Sequence, residues 1–170
     1  MFNKEAISAT STMAAIKPPS DIIAPLKTHF SEDVWKAGPH VTLAYLGKTN
    51  KGQFIDIAMC LNKIMKDLRP IELGIEGAGC FRGEDCKVRL ALVNGVGLDI
   101  WALAVRSALK KEGLLPPIEH GFLPHMTLAY EDGIMPENWE KPIIAVDQKW
   151  TCSQIILSRG LESKMVYDII

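Results

Sequence analysis

The chain has 170 residues, 48% of them hydrophobic, with four histidines and a net charge of −1. That is enough apolar material for one core, so a single domain spanning residues 1–170 is expected. The balanced charge excludes the broad basic surface of a duplex-DNA or anionic-membrane binder, and any nucleic-acid ligand must be small or held by local charge.

The amino terminus, "MFNKEAISATSTMAAIKPPS", carries an early acidic residue and lacks a signal-peptide core. No run approaches the roughly 18 apolar residues that span a bilayer. A soluble, cytoplasmic monomer without a membrane partner is the expectation. Ser8 to Ile16 reads as a strand, and Ser20 in "PPSDIIAPLKTHF" as the cap of a short helical stretch. Pro39 to Leu46 reads as a strand ending at Gly47. From Gly52 to Leu68, Phe54, Ile57, Ala58, Leu61, Ile64, Met65 and Leu68 recur at helical spacing. "IELGIEGAGCF" and "CKVRLALVNG" form an antiparallel hairpin around the polar tip "RGED". A second helix covers Leu98 to Lys111, with Ile100, Trp101, Leu103, Ala104, Ser107 and Ala108 in period and a stop at Gly113. After "LLPPIEHGFLP" come a strand at the second copy of the heptapeptide described below, a loop containing Pro136, and strands at Ile143–Asp147, Cys152–Ser158 and Lys164–Ile169. Two long helices and at least six strands make the class α+β.

Cys60, Cys80, Cys86 and Cys152 have no CxxC or zinc-finger spacing and read as reduced, mostly buried thiols. A Cys80–Cys86 bridge across the hairpin tip would need an oxidising compartment.

The sharpest feature is a repeat. "PHVTLAY" at Pro39–Tyr45 returns as "PHMTLAY" at Pro124–Tyr130, with only the residue between histidine and threonine changed. Each copy lies on a strand with an amphipathic helix in its own half of the chain, although the order of elements differs, which points to divergent duplication. Strand alternation puts His40, Thr42 and Ala44 on one face and Val41, Leu43 and Tyr45 on the other; His125, Thr127 and Ala129 oppose Met126, Leu128 and Tyr130. Tyr45 and Tyr130 are therefore assigned to the core. If the halves pack about a pseudo-twofold axis, both polar faces line one cleft. One HxT strand could be ordinary half-buried structure, but a six-residue identity written twice is not ordinary.

Two imidazoles suit acid–base chemistry at a phosphodiester: one neutral histidine accepts a proton from the attacking hydroxyl, and the other, protonated, supplies the departing oxygen. The threonine hydroxyls can donate to non-bridging oxygens as their charge grows. Neither step needs a metal or other cofactor, and no carboxylate or cysteine cluster has ligand spacing around the repeat.

The paired HxT strands resemble the 2H phosphoesterase superfamily, which includes the bacterial and archaeal "2′-5′ RNA ligase" or RNA cyclic phosphodiesterase proteins. The resemblance implies a bilobal fold in which two antiparallel sheets line a central cleft with helices outside. It also implies catalytic roles for His40, Thr42, His125 and Thr127. Activities implied include opening 2′,3′-cyclic phosphates, cleaving 2′-5′ linkages, trimming RNA ends and, in phage counter-defence members, hydrolysing cyclic oligonucleotide signals. The LAY continuation is similar to phage-encoded relatives.

Lys17, Arg82, Lys87 and Arg89 are candidates for phosphate contacts, and Trp35 for a lid that stacks on a base or an anchor against the core. His29 and His120 fall in connections. The leading reading is a phosphodiesterase acting on a small ribonucleotide or cyclic oligonucleotide. Its rivals are a catalytically silent nucleotide-binding module and a purely structural duplicated domain; retention of both histidines favours turnover, because arginine or lysine would serve binding as well.

Overall fold

The computed structural model describes residues 11–82, 87–117, 121–131, 148–160 and 163–169. The expected strand Ile143–Asp147, the Pro136 loop, His120, Cys86 and the hairpin tip lie outside them. In chain order the elements are β1 (Ser11–Ile16), α1 (Ser20–Ile23), a 3-10 segment (Ala24–His29), α2 (Glu32–Ala37), β2 (Val41–Lys48), α3 (Lys51–Met65), β3 (Ile71–Arg82), β4 (Lys87–Asn94), α4 (Leu98–Lys111), β5 (His125–Glu131), β6 (Lys149–Cys152), β7 (Gln154–Arg159) and β8 (Ser163–Asp168).

The strands form one antiparallel eight-stranded sheet in the order β6-β3-β4-β5-β2-β1-β7-β8. The order is symmetric about its centre. Each half has a motif strand innermost, β5 or β2, flanked by β4 or β1, and the halves join through the single pair Val41–Met126. β6 and β7 are separated in sequence only by Ser153, yet they stand far apart in this order. One residue cannot bridge the width of a flat sheet, because successive Cα atoms are about 3.8 Å apart. The sheet is therefore strongly curled; the class is α+β as expected, and the strands of the two lobes are continuous in one sheet rather than two.

Local chemistry explains the helix boundaries. Asn50 caps α3 in a capping box: its side chain accepts from the Gln53 N–H while the Gln53 side chain accepts from the Asn50 N–H. Ile57, Ala58, Leu61 and Met65 are buried as their spacing predicts. The helix stops before Pro70, which disfavours helical backbone at the residue ahead of it. Ser20 is not a cap; it is the first residue of α1, and Pro19 holds the cap position without a side-chain bond.

The core lies between the sheet and the helices, where Leu26, Leu43, Leu61, Leu73, Trp101, Val105 and Leu128 are fully or almost fully buried. The buried stripe of α4 corrects the sequence expectation. Leu98, Trp101, Ala102, Val105 and Leu109 face inward, whereas Ile100 and Leu103 are 62% and 66% exposed. Trp101 is common to both stripes, and its indole N–H donates to the Arg69 carbonyl, fixing the helix rotation. Cys60 and Cys152 are buried and Cys80 is half-buried, all as free thiols.

Candidate active site

The single pair Val41–Met126 lies at the centre of the sheet's symmetry and brings the two motifs side by side. In an antiparallel ladder the neighbours of that pair match His40 with Thr127 and Thr42 with His125. The four motif side chains thus gather on one face around a pseudo-twofold axis, each of them half-buried.

Each histidine is held in the same way. The Nδ1 of His40 lies 2.7 Å from the Gly38 carbonyl, and the Nδ1 of His125 lies 2.7 Å from the Leu123 carbonyl. A carbonyl only accepts, so Nδ1 carries the proton in both rings and Nε2 is left as the basic nitrogen of the neutral form. Gly38 has φ +85°, a conformation that a side chain would strain, and a Cβ there would meet no neighbour. Glycine is needed at this position for its backbone, which turns the carbonyl toward the histidine two residues on.

Burial holds both imidazoles below the ordinary histidine value of 6.5. The carbonyl bonds pull the other way, and the charge of His125 lowers His40 further. The wall beside His125 is aromatic: Phe81 meets its ring edge-on, with centroids 5.1 Å apart at 88°. Phe81 and Tyr130 pack on Val88 and Leu90 in a small second cluster, and Tyr130 also touches the main core.

A bulge recurs in both motif strands. Thr42 pairs with Ala15 and Ala44 with Ala14, so Leu43 is an extra residue against β1; Thr127 pairs with Leu90 and Ala129 with Arg89, so Leu128 is extra against β4. The bulge interrupts alternation, so Leu43 and Ala44 are both buried and Tyr45 emerges 42% exposed. Tyr45 is therefore not a core residue, and its hydroxyl shares a hydrogen bond with Ser11. Tyr130 is half-buried and packs against both the main core and the Phe81 cluster. Strict alternation therefore fails for Tyr45, while Tyr130 keeps a core contact.

The remaining candidates separate. Ile16–Val41 is the last pair of β1 with β2, so Lys17 leaves the strand at the level of His40, and its side chain is exposed. The corresponding place beside His125 is taken by Leu92. Arg89 does not join the site: β4 alternates, Leu90 and Leu92 pair with Thr127 and His125, and Arg89 falls on the opposite face with Ala91. Arg82 and Lys87 form the last backbone pair of the hairpin, and their side chains lie outside the described part. Trp35 is an anchor. It sits in α2, packs on the core, lies 5.6 Å from the Phe30 ring and carries the Lys27 ammonium 5.4 Å above it. His29 ends the 3-10 segment, half-buried.

A family model described as the 2′-5′ RNA ligase superfamily matches residues 13–159. The chain belongs to this group, the 2H phosphoesterase superfamily. No curated protein matches the chain in sequence. Among solved structures, TT0787 of Thermus thermophilus is 17% identical with a TM-score of 0.72, covering 94% of this chain and 95% of its own. Escherichia coli LigT complexed with 3′-AMP is 20% identical with a TM-score of 0.58, covering 95% of each chain. Kluyveromyces marxianus Usb1 is 9% identical with a TM-score of 0.61, covering 95% of this chain and 99% of its own. At these identities the likeness concerns the fold.

Two features of this 2H phosphoesterase escape its sequence pattern. Phe81 reaches His125 only through the β3–β4–β5 pairing, which its position in a hairpin does not reveal. The bulges left a trace, since the repeat extends through Leu-Ala beyond each HxT, but a repeated dipeptide does not by itself signal an extra residue.

The depressed histidines give a pH expectation. The acid–base pair works with one ring neutral and one charged, and both free-enzyme values lie below 6.5. The profile of kcat/KM is expected to be bell-shaped with its maximum on the acid side of 6.5 rather than around neutrality. Initial rates across a constant-ionic-strength buffer series check this; a maximum on the alkaline side of neutrality contradicts it.

Proposed function

We propose that this 2H phosphoesterase is a metal-independent phosphodiesterase that cleaves small ribonucleotides by two-histidine acid–base catalysis. Its substrates are cyclic oligonucleotide signals, 2′-5′ oligonucleotides or 2′,3′-cyclic phosphates. The observation that carries the reading is the matched fixation of His40 and His125, each with Nδ1 tied to a carbonyl two residues back. Both rings then present Nε2 as the exchanging nitrogen, one as base and the other as acid, and Thr42 and Thr127 beside them donate to the phosphate. Such pairing would be superfluous for a module that only holds a nucleotide.

The two halves differ in a way that suits a nucleotide. Lys17 follows β1 beside His40, and its charge favours a phosphate there. Phe81, Leu90 and Tyr130 make the other wall apolar and aromatic, which favours a base. Arg82, next to Phe81 in sequence, is the second cation we assign to the phosphate. The solved LigT structures hold 3′-AMP, NADP+ and ATP, and these ligands support a nucleotide as the class of substrate here. No described helix is long and apolar enough to cross a membrane.

The test is incubation in EDTA with cyclic dinucleotides, 2′-5′ oligoadenylate and 2′,3′-cyclic nucleotides, with products resolved by chromatography. Turnover of at least one class, undiminished by the chelator, is expected. Binding without product identifies a sequestering module instead. Activity lost on chelation and restored by zinc or manganese places the protein in a different mechanistic class.

A further inference from the structure

The bulges leave the Leu43 and Leu128 peptides outside the regular pairing with β1 and β4, and each carbonyl is claimed by an element outside the sheet. The Leu128 carbonyl accepts from the Ser31 backbone N–H at 2.8 Å, at the start of α2. The Leu43 carbonyl accepts from the Arg106 Nε at 2.7 Å, a side chain of α4 that is 63 residues away in sequence. A buried carbonyl needs a donor. A backbone N–H suffices in one motif, whereas a guanidinium is used in the other.

Arg106 also touches the second motif. Its guanidinium carbon lies 4.7 Å from the centroid of the Phe122 ring. Phe122 immediately precedes Leu123, whose carbonyl fixes the His125 ring. One planar side chain therefore holds the carbonyl of Leu43, the residue after Thr42, with its Nε and lies over the ring of Phe122, in the segment that orients His125. Among the described residues, the motif strands pair directly in the sheet at Val41–Met126 alone.

We infer that Arg106 is a positioning residue that sets the two HxT motifs relative to each other, acting through the Leu43 carbonyl and the Phe122 ring without touching substrate. The inference rests on the reading of His40 and His125 as an acid–base pair. Lysine cannot replace the arginine, because an ammonium has neither the Nε–H at this reach nor a flat face to stack.

The test uses Arg106→Lys and Arg106→Gln in the full chain, with folding verified by circular dichroism at the assay temperature. Two readings are taken: steady-state kinetics on the best substrate, and NMR titration of the histidine Cε1–H resonances without substrate. In both variants kcat is expected to fall about 10- to 100-fold, the cost of a small misplacement of reacting groups. KM should change little, and the His40 and His125 resonances should both shift and titrate differently from wild type. Superimposable histidine titrations overturn the inference, as does an unchanged kcat where the wild type is active, even if the melting temperature falls. A wild type inactive on every substrate defeats the acid–base reading, while the NMR comparison still judges Arg106.

Discussion

His40→Ala and His125→Ala each lower kcat by at least about 10²-fold, the lower range for loss of a positioned acid or base. Both variants remain folded. The hydrogen bond that fixes each imidazole runs to a carbonyl only two residues away, so its removal costs on the order of 1 kcal/mol. The neighbouring Val41 and Met126, both fully buried, keep the motif strands in place. Turnover measured beside the circular dichroism spectrum separates the two effects. Near wild-type kcat in either variant removes that histidine from the mechanism.

The second large effect comes from the substrate. For an oligonucleotide with a 3′-5′ linkage, the nearest nucleophile is the adjacent 2′-hydroxyl, already held in the same nucleotide and needing no bound water. One histidine removes its proton as the 2′-oxygen bonds to phosphorus; the bond to the 5′-oxygen breaks, and the other histidine protonates that oxygen. The products are a 2′,3′-cyclic phosphate and a free 5′-hydroxyl, and water can open the ring afterwards with the histidine roles exchanged. A 2′-deoxy sugar beside the scissile phosphate is therefore expected to abolish cleavage while largely preserving binding, assayed by product chromatography and by competition. Efficient cleavage of that analogue, or solvent ¹⁸O in the first-formed product, shows direct attack by water.

The repeated heptapeptide made the meeting of the two motifs legible without coordinates, because two strands with the same pattern of polar and apolar residues can pair about a pseudo-twofold axis, as Val41–Met126 does. The helices were legible to the extent that one apolar stripe dominates. α3 has one such stripe and matched; in α4 the expected stripe met the core at Trp101, Ala104 and Ala108 but wrongly included Ile100 and Leu103. The tyrosines and Arg89 show the complementary limit. Alternation assigns faces only while a strand stays in register, so the bulge at Leu43 brought Tyr45 out of the core, while Tyr130 beyond the bulge at Leu128 stayed half-buried against it, and unbroken β4 turned Arg89 away. Arg106 was invisible for a different reason: its partner is a backbone carbonyl, and nothing in the identity of Leu43 announces that its carbonyl needs a donor.

The most direct test of the central claim, one imidazole as base and the other as acid, changes the leaving group. A ribonucleoside 3′-phosphodiester whose departing group is p-nitrophenolate instead of a 5′-alkoxide needs no proton on departure, so the histidine acting as acid becomes dispensable while the one acting as base does not. The measurement is kcat/KM for wild type, His40→Ala and His125→Ala on this ester and on the matching dinucleotide with a 5′-alkoxide leaving group. The account predicts that one variant recovers close to wild-type rates on the activated ester while the other stays at least about 10²-fold slower. Equal defects in both variants on both substrates, or recovery of both on the activated ester, contradict a division of acid and base between His40 and His125.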